Sequence, residues 1–349
     1  MLTQEKILEA LKTVNEPFIN KSLVEIDGVR EIKIKENFVS VKVAISKEAS
    51  QEQLKLQQEI VAAIKNAGAD SVGLRFEELT DEEMSKFGIE KKQAPKSLLD
   101  KGVKTKFIAV TSGKGGVGKS TVSVNLATSL VRLGKKVGIL DADIYGFSVP
   151  DMMGIEEKPK IRGERIFPVT RLGVQVISMG FFVEDNSPII WRGPMLGKMI
   201  NNFFSQVEWD DLDYLILDLP PGTGDVALDI HQMLPSSKEI IVTTPHPTAA
   251  FVAARAGVMA IKTDHEILGV VENMAYYKSQ LTGEKEFVFG QGGGERLAQE
   301  LKTEILAQIP LGQPEIDEKD FAPSIYAQEH PIGEIYMKMA QKIIDKVEN

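Results

Sequence analysis

The stretch that decides the fold is a short apolar run that passes directly into a glycine-rich loop, Phe107-Ile108-Ala109-Val110-Thr111-Ser112-Gly113-Lys114-Gly115-Gly116-Val117-Gly118-Lys119-Ser120-Thr121. Residues 107–111 have the length and composition of a buried strand, and 120–133 read as a helix that stops at Gly134. The loop between them matches G-x-x-x-x-G-K-S, a pattern that is meaningful only between a strand and a helix. The stretch therefore predicts a P-loop.

The residue types of this loop suit a nucleotide phosphate. Glycines let backbone N–H groups turn toward phosphates without Cβ clashes, and the helix N-terminus adds partial positive charge. We expect Lys119 to reach the β- and γ-phosphates and Ser120 Oγ to bind Mg²⁺. The predicted nucleotide contacts are those of the whole loop, Gly113, Lys114, Gly115, Gly116, Val117, Gly118, Lys119, Ser120 and Thr121.

Carboxylates follow two later apolar runs. Residues 137–140 lead into Asp141 and Asp143, and residues 214–217 lead into Asp218. Because the carboxyl ends of parallel strands face the ligand crevice, these acids are expected near the phosphates. Asp143 would orient the attacking water, Asp141 would support the Mg²⁺ shell, and Asp218 would hold a Mg²⁺-bound water. A simple strand-end turn is the alternative for the first pair.

Two further segments complete the predicted site. The loop 219–225, rich in glycine and proline, is placed to change shape on hydrolysis. Asn273 follows the apolar run 267–271, and its amide could pair with the adenine edge, although asparagine is also a common turn residue. The sequence thus predicts Mg²⁺-dependent ATP hydrolysis by positioning and charge neutralisation, with Lys119 and Asp143 as catalytic residues and Lys114 as a second positive charge at the phosphates.

The region after residue 104 alternates short apolar runs with helical segments, which is typical of a parallel sheet covered by helices on both faces. The predicted strands are residues 107–111, 136–140, 174–179, 214–217, 239–243, 267–271 and 305–309. The predicted fold class is therefore α/β, with a parallel-sheet P-loop NTPase domain at 105–349.

The first 80 residues predict a separate small α/β domain. Helical spacing alternates there with strand-like runs, in the order helix 5–14, strands 29–34 and 38–45, helix 50–67 and strand 71–76. Residues 81–104 are strongly charged and are interpreted as a linker. A packed helix over 81–87 is an equally open alternative.

Composition limits the classes of partner. The chain has 349 residues, with 41 Lys and Arg against 50 Asp and Glu, and a formal charge of −9 argues against broad DNA binding while leaving a local basic patch possible. It contains no cysteine, so it can form neither disulfides nor a metal site built on its own thiolates. No apolar run is long enough for a membrane span and no secretory signal is visible, so a cytoplasmic location without a membrane partner is expected.

Taken together, the motifs resemble the Mrp/ApbC family of P-loop ATPases, which have a deviant Walker A loop and are related to ParA and MinD. The segments that carry the resemblance are residues 113–120, 141–146, 191–195, 218–225, 244–246 and 272–274. The resemblance implies a homodimer closed by ATP, in which Lys114 is a catalytic residue that reaches the partner's nucleotide as an arginine finger does; a phosphate contact within its own chain is the alternative. It also implies carriage of iron–sulfur clusters to apoproteins, with residues 1–80 similar to an iron–sulfur-assembly domain.

The sequence departs from this family at the cluster ligands. Many members have a C-x-x-C shortly after the segment equivalent to 272–274, and ungapped spacing places Ser279 and Thr282 there. Neutral hydroxyls are poor ligands for iron–sulfur clusters. Two functions stay open: an ATPase that carries clusters for apoproteins, or an ATP-switched dimeric regulator that binds a protein or DNA partner without a cluster.

Overall fold

The computed structural model describes residues 2–35, 37–46, 51–87, 97–100, 102–144, 146–183, 193–279, 281–315 and 321–348. Their contacts divide the chain into two compact units, Met1–Ala94 and Pro95–Asn349. Each unit has its own apolar core. Within these ranges, no helix combines the length and apolarity needed to cross a membrane.

The first unit is a three-stranded sheet backed by helices. Its elements are α1 (Gln4–Leu11), β1 (Asn15–Glu16), β2 (Lys21–Ser22), β3 (Val29–Lys35), β4 (Phe38–Ile45), α2 (Gln51–Asn66), β5 (Ser71–Glu78) and α3 (Asp81–Lys86). The order is β3-β4-β5, antiparallel between the first pair and parallel between the second. Alternation in β4 buries Val39, Val41 and Val43 against the helices, as the period of two predicts.

The region interpreted as a linker has contacts at both of its ends, and its first part is a helix, the alternative that the sequence left open. Met84 in α3 is only 3% exposed and joins the core of the first unit, while Glu83 pairs with Arg30 at 2.6 Å. At the other end, the backbone N–H of Leu98 donates to the Phe204 carbonyl at 2.9 Å, within the second unit. Residues 81–87 contain only two apolar residues, Met84 and Phe87, which are too few to establish a helical period, and this is why the packed helix could not be distinguished from a linker. Residues 88–96 lie outside the described ranges.

The second unit alternates strands and helices along the chain. Its elements are β6 (Lys106–Ser112), α4 (Lys119–Arg132), β7 (Val137–Asp141), α5 (Val149–Met153), β8 (Lys160–Arg162), β9 (Arg165–Phe167), β10 (Val169–Arg171), β11 (Val174–Ser178), α6 (Gly193–Ser205), β12 (Tyr214–Asp218), α7 (Asp225–Met233), β13 (Lys238–Thr243), α8 (Pro247–Lys262), β14 (Ile267–Lys278), β15 (Lys285–Glu286), α9 (Gly293–Glu300), β16 (Ile305–Leu311) and α10 (Pro331–Glu348). A 3₁₀ turn spans Met179–Phe182.

The main sheet has the predicted parallel core. Strands β11, β7, β12, β6, β13, β14 and β16 lie side by side in that order and run parallel, with β10 antiparallel on β11 and β15 antiparallel on β14. Every residue of β7 and β12 is buried, because α4 and α10 cover one face and α6 and α7 the other. The α/β fold class is thereby confirmed for this unit.

Strand order sets the location of the site. The chain leaves β6 through α4 and returns at β7, so β12 is inserted between two strands that are consecutive in sequence. The carboxyl ends of β6, β12 and β7 therefore meet at one edge of the sheet. Such an edge is where ligands bind in open α/β sheets.

Candidate nucleotide-binding site

The glycine-rich loop between β6 and α4 has the backbone that its sequence predicts. Gly116 and Gly118 both have φ of +80°, in the left-handed region that favours glycine. A Cβ on Gly118 would lie 2.1 Å from Asn273 Nδ2, and one on Gly113 would lie 2.3 Å from the backbone of α8. These three positions therefore exclude larger residues, whereas Gly115 faces open space.

A cavity of about 660 Å³ opens over this loop. Its wall includes residues 114–120 from the loop and the start of α4, Asp143 after β7, and Pro220, Pro221 and Asp225 after β12. Lys119 and Ser120 are buried at its floor, whereas Lys114 is exposed. Within the described residues, Lys114 forms no ion pair with a carboxylate. Thr121 lies in the first turn of α4, outside the wall.

The floor of the cavity is built around the carboxylate of Asp218. Lys119 Nζ lies 2.7 Å from Asp218 Oδ2, and Ser120 Oγ donates to the same oxygen at 2.6 Å. Asp218 is fully buried, so its negative charge depends on these neighbours. The structure thus brings together the predicted phosphate lysine, the predicted Mg²⁺ ligand and the acid at the end of β12.

Ser123 completes this cluster and was not predicted. Its hydroxyl donates to Asp218 Oδ1 at 2.6 Å, so both carboxylate oxygens are held by side chains of α4. Ser123 lies one turn after Lys119, on the same helix face. That spacing of hydroxyls behind the P-loop lysine is the only sequence signal that would have identified it.

Asp141 lies directly behind Asp218, since the two are register partners on β7 and β12. Its carboxylate accepts hydrogen bonds from the backbone N–H groups of Asp143, Ser148 and Val149 at 3.2 to 3.3 Å and from Ser178 Oγ at 2.9 Å. Complete burial raises the pKa of Asp141 to about 7, with the Asp218 charge as a second cause that Lys119 partly offsets. Two buried carboxylates therefore share a site that favours a cation.

Asp143 lies in the cavity wall, where its Oδ1 accepts the backbone N–H of Gly146 at 3.1 Å. The structure thus places this acid beside the loop that was predicted to hold phosphates. Tyr145, Trp191 and Arg192, which carry part of the family resemblance, lie outside the described residues.

Asn273 has a different contact from the one predicted. Its Nδ2 donates to the Val117 carbonyl at 2.9 Å, so the amide supports the P-loop from below. The side chain is only 6% exposed and is not part of the cavity wall. Pairing with an adenine edge therefore stays a prediction, which requires this amide to leave or share its bond to the loop.

Ser279 and Thr282 use their hydroxyls to close a turn. Ser279 Oγ accepts the backbone N–H of Thr282 at 3.3 Å, and Thr282 Oγ1 accepts that of Glu284 at 3.2 Å. Such side-chain turns are the ordinary role of these hydroxyls. The residues at the C-x-x-C positions therefore do not fit a cluster, in agreement with the absence of cysteine from the whole chain.

Two protein-family models match the chain. Residues 103–344 match a ParA model described as NUBPL iron-transfer P-loop NTPase. Residues 4–73 match a model described as iron–sulfur cluster assembly protein. The two matched regions correspond to the two compact units.

Similar proteins extend these matches. An iron–sulfur cluster carrier protein of Bacillus subtilis (strain 168) is 62% identical over 349 residues, which covers 99% of each chain. A nucleotide-binding protein from Archaeoglobus fulgidus, solved in complex with ADP, is 38% identical, with 68% of this chain and 87% of that chain covered and a TM-score of 0.52. The cell division ATPase MinD of Pyrococcus furiosus is 22% identical at a TM-score of 0.51, with 69% and 99% covered, which supports the fold alone.

The raised pKa of Asp141 gives a testable pH dependence. Between the ordinary pKa of 3.8 and about 7, folded Asp141 keeps a proton that the unfolded chain has lost. Folding therefore takes up a proton, and Asp141 lowers the free energy of unfolding of the ligand-free chain as pH rises through this window, by at most about 1.4 kcal/mol per pH unit. Urea unfolding followed by tryptophan fluorescence at a series of pH values measures this slope.

Asp141→Asn should flatten the slope, whereas Asp211→Asn, which changes an exposed acid, should leave it unaltered. An Asp141→Asn chain with the wild-type slope would show that another group titrates.

Proposed function

The chain belongs to the P-loop NTPase family that includes the iron–sulfur cluster carrier proteins, and on that premise we propose that it binds and hydrolyses Mg²⁺·ATP as a homodimer that serves the delivery of iron–sulfur clusters to apoproteins. The family match and the predicted two-part fold are both confirmed. The observation that carries the ATPase proposal is the cluster of Lys119, Ser120 and Asp218 at the floor of the P-loop cavity.

The donor set of this cluster fits Mg²⁺. The ion prefers hard oxygen ligands, and the site offers the Ser120 hydroxyl and the Asp218 carboxylate, with Asp141 behind them. When bound, Mg²⁺ neutralises phosphate charge. Ligand binding then requires Lys119 to leave Asp218 for the phosphates, whereas the Ser120 hydroxyl can keep donating its proton to Asp218 and offer a lone pair of the same oxygen to the ion. The site is therefore assembled in advance around an internal cation.

Asp143 and the loop after β12 supply the remaining chemistry. Asp143 lies in the cavity wall, where its carboxylate can accept a proton from an attacking water and hold that water in line. Gly222, which follows Pro221 of the opposite wall, donates its backbone N–H to the Ser112 carbonyl at 2.7 Å, beside the start of the P-loop. Loss of the γ-phosphate on hydrolysis would shift this short loop, and the loop would in turn shift the start of α7.

The exposed position of Lys114 supports the proposal of a homodimer. A lysine that is exposed beside a phosphate cavity, with no carboxylate partner among the described residues, is available to a nucleotide. In a dimer closed face to face, it would reach the partner's phosphates and add positive charge there, as an arginine finger does. A contact within its own chain is the alternative that mutation must exclude.

The cluster is cargo in this proposal, and its ligands come from other molecules. The chain has no thiolate, and its hydroxyls at 279 and 282 are used in a turn. Carriage would then require the thiolates of the apoprotein or of another partner. The chain's own contribution would be the ATP-controlled docking of that partner.

A second candidate function follows from the absence of cysteine in the chain. A dimer that ATP closes and hydrolysis releases can control a protein or DNA partner without any cluster. The lack of cysteine favours this function, whereas the 62% identical carrier protein favours the first. The net charge of −9 argues for a protein partner over DNA.

Two lysine substitutions separate the roles in the P-loop. Lys119→Ala should abolish ATP binding, because the loop loses its buried cation. Lys114→Ala should retain ATP binding but lose ATP-dependent dimerisation and most hydrolysis, by about 10³-fold or more if it acts like an arginine finger. Fluorescent-nucleotide titration, sedimentation with ATP and phosphate release measure the three properties.

Lys338→Ala, which changes a lysine of α10 whose side chain is 78% exposed, is the matched control and should behave as the wild type. If Lys114→Ala dimerises and hydrolyses ATP normally, the trans-acting role is wrong.

Cluster binding and cluster delivery are tested separately. Anaerobic reconstitution of the pure chain with iron and sulfide should leave no stoichiometric cluster, because no thiolate is present. The same chain with ATP should accelerate transfer from a cluster donor to a cysteine-bearing apoprotein, and Lys119→Ala should not. A stable cluster on the pure chain would refute partner-supplied ligands, and unchanged transfer rates would favour the regulator.

A further inference from the structure

Helix α8 has its large and small apolar residues on opposite faces, in the reverse of the usual arrangement. The buried residues of this helix are alanines and Gly257, and they pack on β13, β14 and α9. The large side chains Phe251, Val258 and Ile261 lie on the outer face, where they are 66%, 40% and 51% exposed. A surface helix ordinarily turns its large apolar residues toward the core. The outer face of α8 therefore has the composition of a contact surface, although it faces solvent.

The exposed side chains form one continuous stripe along the helix, which we call the α8 stripe. Phe251, Arg255 and Val258 occupy positions i, i+4 and i+7, the spacing that aligns side chains on one helix face. Lys262 follows at i+11, and Ile261 lies beside it. At a rise of about 1.5 Å per residue, the stripe is about 16 Å long, or three helical turns. A partner helix of similar length can lie along it.

The α8 stripe carries positive charge and no negative charge. No Asp or Glu occurs between Pro247 and Lys262. Arg255 and Lys262 are both exposed, and neither pairs with a carboxylate among the described residues. Arg255 Cζ lies 5.8 Å from the centre of the Phe251 ring, so the cation and the aromatic ring form one contact surface. The stripe is therefore apolar and basic, on a chain whose formal charge is −9.

A second copy of the chain and DNA both match the stripe less well than an acidic protein segment does. Two-fold pairing of identical stripes would set Arg255 and Lys262 against the same cations of the other copy. Three apolar side chains also bury far less than the roughly 800 Å² that each partner contributes to a stable interface. For DNA, two cations are few, and the centre of the stripe is apolar. Charge and area thus indicate a short acidic segment of another protein.

The stripe begins beside the nucleotide site. Gly113, the first residue of the P-loop, packs so closely on α8 that a Cβ there would lie 2.3 Å from the backbone of Val252 and Ala253. Phe251 is the residue immediately before this contact. A protein docked on Phe251 would thus lie one residue from the backbone against which the P-loop packs.

We propose that the α8 stripe docks an amphipathic, acidic helical segment of a partner protein. Apolar side chains of that segment would pack on Phe251 and Val258, and its carboxylates would pair with Arg255 and Lys262. Phe251 and Arg255 would be the anchors, because buried aromatic and arginine side chains dominate the energy of such contacts. The docking is argued from α8 alone, whereas the identification of the partner as an apoprotein or a regulated protein rests on the proposed function.

A synthetic peptide tests the docking. The probe is a fluorescein-labelled helical peptide of about 18 residues, with leucines along one face and glutamates beside them, titrated with the full chain and followed by fluorescence anisotropy. It should bind at least about 10-fold more tightly than the same peptide with lysine in place of each glutamate. Equal affinities or no binding would overturn the proposal. Displacement of the acidic peptide by a short DNA duplex would assign the stripe to nucleic acid and would overturn it as well.

Substitutions on the stripe locate the contact. Phe251→Glu should weaken binding of the acidic peptide by about 30-fold or more, as loss of an anchor does. Arg255→Glu should reverse the preference, so that the lysine peptide binds more tightly. The matched control is Ile161→Glu, which changes an apolar residue of β8 that is 59% exposed and should leave binding unaltered. Wild-type binding by Phe251→Glu, or a loss of binding in Ile161→Glu, would contradict docking on α8.

Two further measurements separate docking from folding and from self-association. Each variant should unfold in urea at the wild-type midpoint, because the replaced side chains are exposed; if Phe251→Glu does not fold, the reversal in Arg255→Glu decides. Sedimentation of Phe251→Glu should match that of the wild type, and altered self-association would make the stripe a contact between copies and the proposal wrong. All peptide titrations are made without nucleotide, so they test the stripe whether or not the chain hydrolyses ATP.

Discussion

The contact between Lys119 and Asp218 is the interaction on which the rest of the site depends. A carboxylate with no solvent exposure needs compensation, and the chain supplies it from one helix: the Lys119 ammonium and the hydroxyls of Ser120 and Ser123. Because these side chains follow the loop directly, folding of α4 against β12 also shapes the loop. In the ligand-free protein, Asp218 thus binds the Lys119 ammonium group, which would bind the phosphates of ATP once the nucleotide is present.

The topology makes this arrangement possible at a single edge of the sheet. Insertion of β12 between β6 and β7 places Asp218 beside Asp141 and next to the strand that leads into the P-loop. Burial and, secondly, the neighbouring Asp218 charge disfavour the ionised form of Asp141, which is why the pKa of Asp141 is raised. The same pair favours a bound cation. Cation binding and ATP binding are therefore expected to be linked through one cluster of side chains.

Much of the fold and of the nucleotide site could be predicted from the sequence, because the features that define them are short continuous segments of the chain. The P-loop, the seven parallel strands and the acids at their ends each appear as a continuous run of residues. Contacts between distant segments were not predictable: Ser123 on Asp218, and the Asn273 amide on the Val117 carbonyl. The packed helix at 81–86 stayed one of two alternatives for a related reason, since two apolar residues, Met84 and Phe87, do not define a period. Tertiary packing alone assigns these roles.

The central claim is that Asp218 exchanges an internal cation for Mg²⁺ when ATP binds. Equilibrium ATP binding measured across a range of Mg²⁺ concentrations tests it in the wild type and in Asp218→Asn. We expect Mg²⁺ to strengthen ATP binding to the wild type, and we expect Asp218→Asn to bind ATP without Mg²⁺ at least as well as the wild type while losing that Mg²⁺ dependence. An Asp218→Asn chain that keeps the wild-type Mg²⁺ dependence would contradict the account.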